Sequence, residues 1–180
     1  MIQVNVNKIS YHSKSRSYAI ILKEINGEKY LPVIIGSFEA QSIALAIEMI
    51  ETPRPLTHDL ICNFITLMNV SVRSVNINCY NDGVYFSEIK LVSDDTGEQV
   101  LDARPSDAIA VALRMKIPIY VSREVFNQSA MDKGSLFEED RSDKIKINIL
   151  KLKEKLDSAI KKEEYELAAA LRDKINQLEA

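Results

Sequence analysis

Several common routes to function are closed by what this sequence lacks. It has no excess of basic charge: the net charge is −3 at neutral pH. The chain as a whole is therefore not a basic nucleic-acid clamp. It has only two histidines, His12 and His58, far apart in the chain, which rules out a zinc site built on histidine. Its two cysteines, Cys62 and Cys79, form no C-x-x-C pair and read as buried, reduced thiols of a cytoplasmic protein. No apolar run approaches the roughly 20 residues that span a bilayer, so no membrane segment is expected. The first residues, Met1–Lys8, alternate like a strand and do not look like a signal peptide. Gly-rich phosphate loops, Cys/His knuckles and serine-hydrolase elbows are all missing, which sets ATP-driven chemistry aside.

What is present is patterned. Ile2–Ile9, Ser17–Glu24 and Lys29–Ile35 read as strands, with Asn26-Gly27 as a turn between the last two. Gly36 ends the third strand, and Phe38–Ile50 follows as a helix with Ile43, Ala46, Ile47 and Ile50 on one face. After Thr52-Pro-Arg-Pro55, Thr57 is placed to cap a second helix that buries Leu60, Ile61, Phe64, Ile65 and Met68. The plan then repeats. Val70–Tyr80, Val84–Val92 and Glu98–Leu101 read as strands and Ser106–Met115 as a helix capped by Ser106. Pro118–Val121 is a brief strand, and a short helix lies near Ser122–Asn127. The letters repeat as well: Ile35–Glu48 (IGSFEAQSIALAIE) lies over Leu101–Arg114 (LDARPSDAIAVALR) without a gap. The fold expected is α+β: a duplicated three-strand-plus-helix unit forming one domain, residues 1–127.

Residues 128–141 are polar and aperiodic, and read as a linker. From 142 to 180 two narrow apolar seams appear, Ile145, Ile149, Leu152, Leu156 and Ala159, then Tyr165, Ala168, Leu171, Ile175 and Leu178. They predict a C-terminal α-helical hairpin whose charges cancel. So small a hairpin buries little alone and should dock on its own domain, on a second copy or on another protein.

Two resemblances rest on these stretches. Leu31–Gly36, Glu39-Ala40, Arg54–Leu60 (RPLTHDL) and Asp102–Ile109 (DARPSDAI), closed by Pro118–Val121, are similar to the bifunctional nuclease (BFN) domain family. The tail, Leu152–Ile160 with Tyr165–Asp173 and Leu178-Glu179, resembles the UVR motif, the hairpin through which the helicase and nuclease subunits of bacterial excision repair meet. Two departures show: Lys161-Lys162 stands where that motif more often carries acidic residues, and Glu48–Glu51 lacks a glycine expected before the Arg-Pro segment. The resemblance implies a nuclease acting on DNA and RNA, a homodimer, and a protein contact or self-contact through residues 142–180.

Phosphodiester hydrolysis needs an activated water, stabilised phosphoryl oxygens and help for the leaving oxygen. The candidate carboxylates are Glu39, Asp59, Asp102 and Asp107, with Asp102 and Asp107 as ligands for Mg²⁺ or Mn²⁺. Arg54, Arg104 and Arg114 are the candidate phosphate-binding residues, and His58 the candidate general acid or base. The same residues have a structural reading. Asp59 and Asp107 suit helix N-termini, and Arg104 can pair with Asp102 or Asp107. The alternative to an enzyme is thus a non-catalytic ligand- or partner-binding module attached to a DNA-repair or stress complex.

Overall fold

The computed structural model describes residues 1–12, 16–132, 152–158, 171, 172 and 174. The chain divides into two compact units, Met1–Lys133 and Gly134–Ala180. Of the second unit, residues 152–158 are helical. Apart from Leu152, Leu156 and Leu171, the residues of the expected hairpin seams, and most of the expected linker, lie outside the described residues. Among the described residues no helix is long and apolar enough to cross a membrane.

The first unit runs β1 (Ile2–His12), β2 (Ser17–Glu24), β3 (Lys29–Ile35), α1 (Ser37–Ile47), α2 (Thr57–Leu67), β4 (Ser71–Asn81), β5 (Val84–Ser93), β6 (Gly97–Ala103), α3 (Pro105–Met115), β7 (Ile119–Val121), α4 (Arg123–Ser129) and β8 (Met131–Asp132). It is mixed α and β, with one eight-stranded sheet in the order β6-β5-β4-β7-β1-β2-β3-β8. Each half sends three antiparallel strands into an alanine-rich helix. Strand β7 joins the halves, antiparallel to β1 and parallel to β4. Gln128 and Ser129 close α4, and Met131-Asp132 pair with Tyr30 and Lys29, so the first residues of the expected linker belong to a helix and a strand.

Alternation explains which face is buried. Val4 lies beside Ile119, Ile119 beside Val75, and Val75 beside Ile89, forming one apolar row across four strands. All four belong to a single core that also takes Ile43 of α1, Ile109 and Val111 of α3, and Val125 and Phe126 of α4. Helix α3 is the central one: Pro105, Ser106 and every residue from Ala108 to Ala112 are buried. Three alanines let it lie close against its neighbours, where longer side chains would hold it off. Its end is sharp because Lys116 takes a left-handed conformation at φ 55°. The β4–β5 hairpin turns at Asp82 and Gly83, both at positive φ, as a tight right-twisted hairpin requires.

Four expectations are corrected. Helix α1 ends at Ile47, before Ile50, because Met49 leaves helical space at φ 53°. Thr57 and Ser106 do not cap their helices: each already lies inside, and the caps are Leu56 and Arg104, without a side-chain cap bond. Pro105 at the first position of α3, where an N–H has no partner anyway, starts that helix. Cys79 is exposed on β4, and only Cys62 is partly buried. Finally, of the five residues α2 was expected to bury, only Ile65 is covered; Leu60 and Phe64 are each 62% exposed.

Candidate active site

The N-termini of α1, α2 and α3 meet. Each carries an acidic residue in its first turn: Glu39, Asp59 and Asp107 respectively. Acidic residues are favoured there by the helix dipole. Here each is also tied to a cation from α3 or its cap.

At the outer end, Arg104 donates from Nε to Asp107 Oδ2 at 2.8 Å and from Nη2 to Asp107 Oδ1 at 3.2 Å. Its Nη1 reaches Glu39 Oε1 of α1 at 3.2 Å. The Arg104 side chain is 68% exposed, so it sits at a mouth open to solvent. Asp107 also faces His58 of α2, whose Nε2 lies 3.2 Å from Oδ1. The other ring nitrogen, Nδ1, is 2.9 Å from Ser42 Oγ of α1. At the inner end, Arg114 donates to the Ser42 hydroxyl and carbonyl oxygens, both at 3.2 Å, and to Asp59 Oδ1 at 2.6 Å. Asp59 Oδ2 takes the Leu56 backbone N–H at 2.8 Å.

The bonds form one line: Glu39, Arg104, Asp107, His58, Ser42, Arg114, Asp59. Donor logic fixes the protons along it. Arg114 can only donate, so Ser42 Oγ accepts from it and is free to donate to His58 Nδ1. That leaves Nε2 carrying the proton toward Asp107, the tautomer a neutral ring needs to satisfy both neighbours.

The electrostatics follow the same line. Burial pushes the Asp107 carboxyl up, but the hydrogen bonds and charges of Arg104 and His58 outweigh it, and the group ends below its ordinary range. The hydrogen bond from Arg114 does most to hold Asp59 down, assisted by Leu56 N–H. Arg104 is raised, chiefly by its bond to Asp107.

The fold thus brings together Glu39, His58, Asp59, Asp107, Arg104 and Arg114. It does not bring in Asp102 or Arg54. Asp102 pairs with Glu88, which pairs with Asn76; this row alternates with the Val75–Ile89–Leu101 row and points away from the apolar core. Arg104 therefore pairs with Asp107, with Asp102 turned to the other face. Arg54 lies in the loop between α1 and α2, its carbonyl accepting from Thr52. Arg114, 11% exposed and committed to acceptors, is not presented to an incoming phosphate. Ser42 was not singled out from sequence. Its one signal was a hydroxyl beside Ile43 on the buried side of an alanine-rich helix.

The donor set does not fit a resident Mg²⁺ or Mn²⁺. Both oxygens of Asp107 and both of Asp59 are held by protein donors, and Asp102 is on the far face. Among the described residues, no three His, Cys, Asp or Glu side chains group to hold a metal.

Comparison with known proteins places these residues in a family. Residues 20–134 match the bifunctional nuclease domain. The chain belongs to the bifunctional nuclease domain family. Residues 146–180 match the UvrB/uvrC motif, so this family member carries that motif at its C-terminus. An uncharacterized protein of Mycobacterium tuberculosis is 38% identical over 131 residues, 73% of this chain and 77% of its own. Bifunctional nuclease 1 of Oryza sativa subsp. japonica is 30% identical over 127 residues, covering 69% of this chain and 38% of the plant protein. Bifunctional nuclease 1 of Arabidopsis thaliana is 29% identical over 186 residues, 90% of this chain and 56% of that protein. The chain therefore spans little more than half, or less, of those two nucleases.

Proposed function

We propose that this chain hydrolyses phosphodiester bonds in DNA or RNA at the mouth formed by α1, α2 and α3, in the cytoplasm. One observation carries the reading: residues of three separate sequence motifs converge on a single hydrogen-bonded line whose outer end holds an exposed arginine bonded to Glu39. Arg104 spends its Nε–Nη2 fork on Asp107 and one Nη1 N–H on Glu39, which leaves one N–H on each terminal nitrogen for a phosphoryl oxygen. Glu39 is joined to it through Oε1, and its second oxygen is the acceptor for the proton of an attacking water. Asp107 and His58 hold Arg104 in place, and Ser42 with Arg114 fixes the ring. The Mg²⁺ or Mn²⁺ implied by resemblance is tested by the assay. The two three-strand-plus-helix halves are read as repeats, and the hairpin of residues 142–180 as a protein contact, on the strength of its match to the UvrB/uvrC motif.

A second reading has its own support. Asp107, Asp59 and Arg114 are fully engaged with protein, as in a structural network. A binding module attached to a repair or stress complex would need nothing more.

The test is incubation of the purified full chain with single-stranded DNA and with RNA, in Mg²⁺, Mn²⁺ or EDTA, beside Glu39→Gln and Arg104→Met. Cleavage by wild type that falls at least about 100-fold in both variants, with unchanged circular dichroism, is expected. No cleavage above a mock purification, or equal cleavage by the variants, would transfer the assignment to the binding module.

A further inference from the structure

The first turn of α1 carries an aromatic ring where a helix start facing water ordinarily carries a polar or acidic group. Phe38 is 84% exposed, more than any other large apolar side chain among the described residues. The core takes Ala40 and Ile43 from α1 and leaves Phe38 out. Among the described residues the ring pairs are Tyr11–Tyr18 and Tyr80–Tyr85, so no other ring covers it.

Its position ties it to the mouth. Glu39, the next residue, is bonded to Arg104. Ser42, four residues on, is its neighbour one turn further along the same side of α1. That side faces α2, since the Ser42 hydroxyl is 2.9 Å from His58 Nδ1. Helical side chains lean toward the N-terminus. The Phe38 ring therefore stands at the rim of the mouth, on the side of α2, with Arg104 beyond Glu39.

We propose that Phe38 is a stacking platform for one base of a single strand whose phosphate lies on Arg104. The proposal rests on reading the mouth as a nucleic-acid site. A nucleotide joins a charged phosphate to a flat base. Proteins that hold single strands meet the first with a cation and the second with an aromatic face. Arg104 keeps N–H groups free for the phosphate, and Phe38 supplies the face beside it. A duplex keeps its bases in its own stack, so it gives the ring nothing to receive. Every base has a π-face, so the ring selects for strandedness and tolerates sequence.

The chain has no tryptophan, so Phe38→Trp introduces a single indole fluorophore at the rim. It is titrated on ice, in EDTA, with single-stranded DNA of about 8 nucleotides, a length within ordinary single-strand site sizes. The same strand without bases, the duplex and inorganic phosphate are titrated alongside. Saturable quenching by the single strand alone is expected. Anisotropy of a labelled strand then compares wild type with Phe38→Ala, an exposed substitution expected to leave circular dichroism unchanged. The variant should bind the strand roughly 5- to 100-fold more weakly and the abasic strand equally well, with Phe38→Tyr close to wild type. Equal affinity of wild type and Phe38→Ala for the base-bearing strand overturns the proposal. So does equal quenching by the abasic strand, or no binding by wild type up to about 1 mM. A Phe38→Ala chain whose mass by light scattering falls below that of wild type overturns it as well, and assigns the ring to a protein contact. Quenching and base-dependent binding without cleavage would keep the platform and remove the nuclease. Cleavage with equal affinities would do the reverse.

Discussion

Replacing Arg114 with methionine tests the inner half of the line most directly. Methionine keeps much of the apolar stem and removes the guanidinium. Four acceptors lose a donor: Asp59 Oδ1, the Ser42 carbonyl and hydroxyl oxygens, and the Ala110 carbonyl. Stripping one partner from a fully buried pair costs about 3–5 kcal/mol. Asp59 is 33% exposed and keeps the Leu56 N–H, so water screens part of that loss. The expected cost is about 2–3 kcal/mol. For a domain of this size that lowers Tm by roughly 5–10 °C. Urea melts at pH 7, followed by circular dichroism, measure it. Adding Asp59→Asn should return about 1 kcal/mol, since it removes the stranded carboxylate. A cost under about 0.5 kcal/mol would mean the pair is effectively solvated. The claim that Arg114 holds Ser42, and through it His58, would then fall.

Asp107→Asn removes the charge facing the exposed Arg104 and keeps an oxygen toward His58, so it should cost about 1 kcal/mol or less in urea melts. On the nuclease reading, cleavage of single-stranded DNA should drop roughly 100- to 10,000-fold; a fall no larger than the lost folded fraction would deny the cluster a role in chemistry. Asp59 and Asp107 both titrate below their ordinary range. The native state therefore binds fewer protons than the unfolded chain there, and their contribution is complete above about pH 4 and lost as pH falls through the lowered values. Acid melts of Arg114→Met should show a smaller loss over that window, and identical pH profiles would contradict the pairing. Cys79 is exposed, whereas Cys62 is partly buried with its thiol pushed up by burial. A disulfide reagent on native protein should label Cys79 first, and equal rates would show α2 opening freely. Gly36 leaves room for the Glu39 carboxylate, which a Cβ at that position would strike. Gly36→Ala should therefore leave the melt nearly unchanged and loosen Glu39 from Arg104, seen as a loss of cleavage; full activity would remove Glu39 from the site.

Local rules are written in local letters, and these the sequence determined by itself. Period-two alternation at the start of β1, the turn at Asp82-Gly83 and the proline opening α3 each follow from backbone sterics and side-chain direction within a few residues. The motifs also put Glu39, His58, Asp59, Arg104 and Asp107 at helix starts, so much of the line was legible before any coordinates. What they could not give was who faces whom. Asp102 and Asp107 are five positions apart, yet a strand's pleat sends one to the far side of the sheet and the helix start turns the other inward. Ser42 joins the line only because α1 and α2 both pack on α3, which no spacing within α1 encodes. The apolar stripe of α2 was read as core because periodicity reports amphipathicity and not what covers it. The fold spends its core on α3, whose small residues pack closest to the sheet, and leaves Phe64 and Leu67 in solvent. Burial depends on the placement of elements distant in the chain, and only the tertiary structure decides that.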